Sequence, residues 1–176
     1  MAKARFKVCA ATDADAAEVR ALVFPIMEEF GLGLAPAGAD ADLYKIEASY
    51  QARGGWLDLV RSDDQLVGTV GMYPLDDHTI ELRKMYLRAD QRGSGLGKAL
   101  LARSIRRAAA AGYGEIVLET ATVLKAAIGL YRSFGFERDD GNRPGCGKQS
   151  CDQVWRLRLD QFQLPQIETP HLEECA

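Results

Sequence analysis

Residues 88–101 read RADQRGSGLGKALL, a glycine-rich loop followed by a run of good helix formers. Glycines just before a helix let the backbone turn sharply and approach a ligand closely. The first amides of a helix have no internal partner, and the helix dipole adds partial positive charge there. Arg92 and Lys98 add full charges beside them. The stretch therefore predicts a cradle for an anion such as phosphate. Its glycines are Gly93, Gly95 and Gly97.

The spacing of this loop differs from that of two other phosphate-binding loops. A P-loop has a glycine separated by four residues from Gly-Lys, followed by Ser or Thr. Arg92 and Ala99 stand at those two positions here. A dinucleotide-binding loop has Gly-x-Gly-x-x-Gly near the start of a βαβ unit, whereas these glycines have another spacing and lie past mid-chain. A flexible loop that only caps a helix stays open as the simpler alternative.

Two motifs connect the loop to a known family. Residues 92–97 follow the order Arg-x-x-Gly-x-Gly, and residues 130–136 read Leu-Tyr-Arg-Ser-Phe-Gly-Phe about forty residues later. The first resembles the pyrophosphate loop of the GNAT superfamily, which consists of acyl-CoA-dependent N-acyltransferases, and the second resembles its Leu-Tyr-x-x-x-Gly-Phe signature. The resemblance covers roughly residues 6–159. It implies that acetyl-CoA is the cosubstrate and that the loop binds it through Arg92, Gly93, Ser94, Gly95, Leu96, Gly97 and Lys98.

The order of predicted elements agrees with that resemblance. Alternating and β-branched patterns predict strands, and longer periodic runs predict helices. The resemblance implies a mixed α/β sheet that is antiparallel in its first half, with the order β-α-α-β-β-β-α-β-α-β-β. Pro25 predicts a kink or break near Phe24 in the first helix. The predicted strands are 6–10, 56–61, 66–73, 79–87, 115–120, one beginning at 136–138, and 154–159, and the later helices are 40–50, 95–112 and 123–134.

Composition limits what the chain can be. Its 176 residues suit one domain, which we place at 1–160, with a weakly ordered C-terminal tail at 161–176 outside the core. A net charge of −3 argues against a nucleic-acid-binding module. The sequence has neither an apolar run long enough to span a membrane nor the long apolar segment of a signal peptide, so we expect a cytoplasmic protein.

The four cysteines predict free thiols rather than a disulfide framework, since a reducing compartment would keep them reduced. A zinc site built from Cys146, Cys151, His171 and Cys175 is an alternative, but its spacing fits no familiar pattern. We therefore predict no metal site.

The strand 79–87 carries the residues expected to act on the thioester. The family resemblance implies that the backbone of Met85, Tyr86 and Leu87 pairs with the pantetheine arm like an added strand and polarises the thioester carbonyl. It also implies that Glu81 is the general base that takes a proton from the amine. The alternative for Glu81 is a structural ion pair with Arg83, which lies on the same face of the strand, or with another cation.

Tyr131 matches the family tyrosine that acts as general acid on the thiolate leaving group. A phenol titrates near 10, which suits that role. The alternative is a core tyrosine on an amphipathic helix, because Leu124, Ala127 and Ile128 precede it at helical spacing. Many family members have an asparagine seven residues before this tyrosine, and Leu124 stands there instead. That cofactor contact is therefore not expected here.

The resemblance implies an N-acetyltransferase that moves the acetyl group of acetyl-CoA to a primary amine of a small molecule or peptide, directly in a ternary complex. A non-catalytic acyl-CoA-binding regulatory module on the same fold is the alternative. Dimers are frequent in the family, so a homodimer is also an expectation. Acidic residues in the N-terminal half favour a cationic acceptor. They are Glu28, Glu29, Asp40, Asp42 and Glu47.

Overall fold

The computed structural model of the chain describes residues 6–141 and 150–175. Its strands are Phe6–Ala10 (β1), Trp56–Ser62 (β2), Gln65–Pro74 (β3), Thr79–Leu87 (β4), Glu115–Thr120 (β5), Glu137–Asp139 (β6), Gln153–Arg158 (β7) and Leu172–Glu174 (β8). Its α-helices are Ala16–Glu29 (α1), Ile46–Ser49 (α2), Leu96–Ala110 (α3) and Lys125–Ser133 (α4). Short 3₁₀ turns lie between several of these elements.

The eight strands form one mixed sheet in the order β6-β7-β5-β4-β3-β2-β1-β8. β1 to β4 are antiparallel neighbours, as predicted for the first half of the chain. β4 and β5 are parallel and are joined through α3, and β5 then pairs antiparallel with β7. The prediction of a mixed α/β fold is confirmed.

Strand alternation divides the buried side chains between two faces of the sheet. One apolar cluster joins Ile80, Leu82 and Leu118 to α3 and to Tyr131 of α4. The other joins strand residues such as Leu57 to α1 and α2. Helices therefore cover both faces, with the predicted loop and signature helix on one side and the N-terminal helices on the other.

β4 and β5 separate partway along their length. Their parallel pairing runs from Thr79 and Glu115 to Leu82 and Leu118. Beyond that point the register of β4 with β3 shifts, and Lys84 has a φ of +51°, a left-handed backbone that non-glycine residues seldom adopt. The separation leaves the last residues of β4 facing an opening in the sheet.

Two helix predictions differ from the structure. α1 continues through Pro25, although we expected a kink or break near Phe24. Pro25 is exposed, while Val23 and Met27 are buried in the core, so packing outweighs the lost hydrogen bond. The predicted helix at 40–50 is instead a 3₁₀ turn followed by the single turn of α2, because Asp40 and Asp42 turn inward.

The prediction for residues 161–176 was wrong where the structure describes them. Leu172–Glu174 form β8, which extends the sheet by pairing parallel to β1. Phe162 and Ile167 pack against the core, and Arg103 of α3 donates two hydrogen bonds of 2.8 Å to Glu174. These contacts are long-range, so the polar composition of the segment gave no sign of them.

Cys9 and Cys175 form a disulfide, with their Cα atoms 5.0 Å apart, so the prediction of free thiols was wrong for this pair. Pairing of β8 with β1 brings them together across 166 residues of sequence, which spacing alone does not reveal. Cys151 is free. Cys146, part of the alternative zinc site, lies outside the described residues.

No group of three or more metal-ligating side chains occurs within residues 6–141 and 150–175. In the same ranges, no helix is both long enough and apolar enough to cross a membrane.

Replacing Cys175 by serine is expected to lower the free energy of unfolding by about 2–4 kcal/mol, since the bond closes a very long loop. Urea denaturation without reductant measures the difference. In excess dithiothreitol the variant and the native chain should unfold alike, and an equal midpoint without reductant would contradict the prediction.

Candidate active site

The opening between β4 and β5 leads into a cleft of about 860 Å³. β4 supplies one wall, the glycine-rich loop and the start of α3 form one end, and α4 forms the opposite wall. Nearly all of the predicted site residues line this cleft. They are Met85, Tyr86, Leu87, Arg92, Gly93, Ser94, Gly95, Gly97, Lys98 and Tyr131. Leu96 and Glu81 are not among the lining residues; Leu96 is fully buried in the core.

The glycine loop has the backbone that its sequence predicts. Gly93 and Gly95 have φ values of +75° and +86°, and Gly95 is the N-cap of α3. Ala99 donates the first hydrogen bond of the helix to the Gly95 carbonyl at 3.1 Å. The amides before Ala99 therefore have no helical partner, although that of Leu96 reaches Ser94 Oγ at 3.3 Å. A Cβ on Gly93 would meet no atom within 4 Å, so the loop leaves room for a ligand.

Arg92 has a role in the structure that the sequence did not show. Its Nη1 and Nη2 donate to the two carboxylate oxygens of Glu29 at 2.6 and 2.8 Å, and its Nε donates to the Leu87 carbonyl at 3.0 Å. Hydrogen bonding by Arg92 lowers the pKa of Glu29. Arg92 thus ties the loop to the end of β4 and to α1, whereas Lys98 is exposed at the start of α3.

Lys84 anchors the irregular part of β4 through a buried ionic cluster. Its Nζ lies 2.6 Å from Asp40 Oδ1 and 3.5 Å from Asp42 Oδ1, and all three side chains are under 10% exposed. The Tyr50 hydroxyl donates to Asp42 at 2.6 Å, and Thr69 Oγ1 donates to the Lys84 carbonyl at 2.7 Å. The cluster fixes the segment that precedes α2 against the point where β4 leaves β5.

Replacing Lys84 by methionine is expected to lower the free energy of unfolding by about 3 kcal/mol, because it leaves two buried carboxylates without their cation. Lys45, which is exposed next to α2, gives a matched control, and Lys45→Met should change stability by less than about 0.5 kcal/mol. Urea denaturation of both variants checks this. Equal free energies of unfolding for Lys84→Met and the native chain would show that the cluster contributes nothing to stability.

In the structure Glu81 forms an ion pair with Arg83, which the sequence left open as the alternative to a catalytic role. Its side chain is 1% exposed, and Arg83 Nε lies 2.5 Å from its carboxylate. Arg83 in turn lies over the ring of Tyr73, 3.9 Å from the centroid. The structural ion pair is therefore present, and the role of Glu81 as a base stays a prediction.

Tyr131 both packs in the core and lines the cleft. It is 7% exposed, and its ring centroid lies 5.7 Å from that of Phe136. Burial raises the pKa of the phenol above its usual value, so the hydroxyl stays protonated at neutral pH. A protonated phenol in the cleft can donate a proton to a leaving group.

Two residues at the end of β5 were missed by the sequence analysis. Glu119 and Thr120 both line the cleft. The Oγ1 atom of Thr120 is buried and has no hydrogen-bond partner among the described residues. A ligand with a polar group at this depth could form a hydrogen bond with the unsatisfied Thr120 hydroxyl. Leu124, at the position where an asparagine is common, lines the cleft as an apolar side chain.

The acidic residues that favoured a cationic acceptor do not line the cleft. Glu29 binds Arg92, and Asp40 and Asp42 belong to the Lys84 cluster. Glu47 accepts a hydrogen bond from the Asp13 amide at 3.0 Å, and Glu28 is exposed elsewhere on α1. These carboxylates are therefore structural or solvated, and they give no support to a cationic acceptor.

Comparison with known proteins agrees with this architecture. The acetyltransferase (GNAT) family model matches residues 23–136. Human N-acetyltransferase 8B is 35% identical over 127 residues, which cover 68% of this chain and 52% of that protein. The chain spans about half the length of the human and rat relatives it matches.

Solved structures share the fold at lower sequence identity. A GNAT-family acetyltransferase from Staphylococcus aureus has a TM-score of 0.81 and 23% identity, covering 88% of this chain and 99% of its own. A Salmonella typhimurium structure, solved with its cofactor acetyl-CoA, has a TM-score of 0.67 and 19% identity. The match covers 92% of this chain and 99% of that one. At these identities the similarity establishes the fold alone.

Proposed function

Because the chain belongs to the acetyltransferase (GNAT) family, we propose that it transfers the acetyl group of acetyl-CoA directly to a primary amine in a ternary complex. The observation that carries this proposal is the cleft between β4 and β5. An anion cradle with left-handed glycines lies at one end of it, and a buried tyrosine hydroxyl lies in its wall. Acetyl-CoA supplies the activated acetyl thioester.

Different groups along the cleft have different roles in binding and catalysis. The amides at the start of α3, with Lys98, hold the pyrophosphate, because unpaired amides and a cation attract its charge. The last residues of β4, Met85 to Leu87, offer backbone groups to the pantetheine arm and to the carbonyl oxygen of the thioester. Tyr131 donates its proton to the departing thiolate.

The acceptor is a primary amine of a small molecule or a peptide. The wall of the cleft also includes apolar side chains from the end of α1 and from the residues before α4, such as Ile26, Phe30 and Val123. This wall suits an amine with an apolar portion rather than a polyamine. A homodimer and a cytoplasmic location stay predictions, and sedimentation of the purified chain tests the first.

A screen of amines for release of free CoA thiol tests the proposal. Amino acids, peptides, polyamines and arylalkylamines are incubated with acetyl-CoA and the purified chain, and CoA is measured by its reaction with a disulfide dye. We expect release with one class of amine and formation of the matching acetamide by mass spectrometry. Binding of acetyl-CoA without release of CoA in the presence of any tested amine would contradict catalysis.

A non-catalytic acyl-CoA-binding module is the second candidate. One observation favours it, since the expected base Glu81 is buried in an ion pair with Arg83. The same screen separates the two candidates, because a binding module would retain affinity for acetyl-CoA and form no acetamide.

A further inference from the structure

We propose that the C-terminal segment at residues 163–175 is a strap that restricts entry of acyl-CoA, and that the Cys9–Cys175 disulfide holds this strap in place. The inference rests on the proposed acyl-CoA site and adds a redox control to it. It follows from the position of the strap beside the glycine-rich loop, from the charge of Glu168 and from the way the strap is attached.

The strap crosses the start of α3, where the anion cradle lies. Pro170 lies so close to Gly95, the N-cap of α3, that a Cβ on this glycine would be 3.3 Å from the Cδ atom of the proline. Glu174 accepts two hydrogen bonds from Arg103, about two helical turns further along α3. The strap therefore runs along α3 from the cradle to β8, and it borders the place that the proposed function gives to the pyrophosphate.

Glu168 brings a negative charge to the anion cradle. Its side chain is exposed and lines the cleft together with Gly95 and Lys98. Because Glu168 precedes Pro170 by two residues, at most about 7 Å separates their Cα atoms. Within the described part of the chain, Glu168 has no ion pair or hydrogen bond that would hold its carboxylate elsewhere. Like charges repel, so this carboxylate opposes a pyrophosphate and competes with it for Lys98.

The strap is attached mainly at its ends. Among residues 6–141 and 150–175, no hydrogen bond joins residues 163–170 to another part of the chain, although Ile167 packs against the core. β8 has three residues and pairs with β1 at the edge of the sheet. A segment with so few contacts opens at a low cost in free energy. The disulfide is the covalent link that keeps its far end closed.

The disulfide is accessible to a dithiol reductant. Cys175 is exposed and Cys9 is half-buried, and exposed disulfides are reduced more readily than buried ones. One thiolate of the dithiol attacks a sulfur of the pair and breaks the S–S bond, and the second thiol then resolves the mixed disulfide. Cys9 and Cys175 each gain one electron and one proton, while the dithiol becomes a disulfide. β8 can then leave β1, and Glu168 moves away from the cradle.

Reduction therefore raises the affinity for acyl-CoA. If the ligand enters when the strap is open, the apparent Kd is the intrinsic Kd divided by the open fraction of the chain. The disulfide lowers that fraction from outside the cleft, since neither of its cysteines lines it. The oxidised and reduced chains thus differ in their affinity for acetyl-CoA although their cleft residues are the same.

Calorimetric titration of the full chain with acetyl-CoA, oxidised and in excess dithiothreitol, tests the proposal. Mass spectrometry after alkylation confirms the disulfide in the first sample, and thermal melts confirm that both samples are folded. We expect the reduced chain to bind about tenfold more tightly. A double variant with Cys9→Ser and Cys175→Ser should bind as the reduced chain does, with or without dithiothreitol. It retains Cys146 and Cys151, so it controls for other thiols.

Glu168→Gln tests the charge of the strap while the disulfide stays intact. In the oxidised chain we expect about threefold tighter binding of acetyl-CoA at low ionic strength, and a smaller gain in about 0.5 M sodium chloride, because salt screens exposed charges. Glu137 is exposed on β6, at the other edge of the sheet, and gives a matched control. Glu137→Gln changes the net charge equally and should leave the Kd unchanged. Native affinity in Glu168→Gln would contradict the role of its carboxylate.

Four results would overturn the proposal. One is a purified chain without the Cys9–Cys175 bond, and another is an equal Kd for acetyl-CoA in the oxidised and reduced chains. The third is weaker binding after reduction, which would show that the strap completes the site. The fourth is a response to dithiothreitol that persists in the double variant, which would assign it to another thiol. Absence of acetyl-CoA binding in every form, the double variant included, would overturn the proposed function instead.

Discussion

Replacing Gly95 by tryptophan is expected to abolish saturable binding of acetyl-CoA while the chain stays folded. Gly95 has a φ of +86°, and a non-glycine residue in that conformation costs about 1–2 kcal/mol. A Cβ there would also lie 3.3 Å from Pro170 Cδ, so a large side chain would crowd the C-terminal segment beside the loop. The indole would then occupy the cradle at the start of α3, where the proposal places the pyrophosphate.

Gly129 gives a matched control for the same substitution. It is exposed on α4, does not line the cleft, and a Cβ on it would meet no atom within 4 Å. Gly129→Trp should therefore bind acetyl-CoA with native affinity. Calorimetric titration of both variants, after thermal melts confirm that they are folded, measures the difference. Native affinity in Gly95→Trp would contradict the assignment of the loop.

Replacing Tyr131 by phenylalanine is expected to lower kcat by about 10²–10⁴-fold and to leave the Kd for acetyl-CoA unchanged. The substitution removes only the hydroxyl, and the ring keeps its packing against Phe136. Because burial raises the pKa of Tyr131, the native hydroxyl carries a proton throughout the neutral range. A thiolate leaving group without that donor departs as a charged species in a largely apolar cleft.

Steady-state kinetics and calorimetry of Tyr131→Phe separate catalysis from binding. Tyr44 is exposed outside the cleft, so Tyr44→Phe should behave as the native chain and serves as the control. Equal losses of turnover and affinity in Tyr131→Phe would show that the hydroxyl acts in binding or packing. An unchanged kcat would assign the proton donor to another group.

Local patterns predicted the elements that form the cleft. The bounds of β4 and β5 are those expected from their alternating and β-branched residues. The glycine loop was also predicted, since left-handed backbone before a helix requires glycine, and Gly93 and Gly95 adopt it. Such features depend on neighbours in the sequence, which is why the sequence alone reveals them.

Features that depend on distant contacts were not predicted. Lys84 adopts a left-handed backbone within a strand because Asp40, Asp42 and the shifted register of β3 hold it there. β8 forms because β1 offers an edge, and Cys175 reaches Cys9 only as a result. Glu119 was overlooked for the same reason, since nothing in a short strand tells which of its residues borders an opening in the sheet.

Calorimetric titration of the purified, folded native chain with acetyl-CoA, with ATP and NAD as controls, tests whether the cleft binds acyl-CoA. We expect saturable binding of acetyl-CoA at one site per chain and no binding of either control nucleotide. Absence of acetyl-CoA binding in a folded sample would contradict the assignment of the cleft between β4 and β5 as an acyl-CoA site.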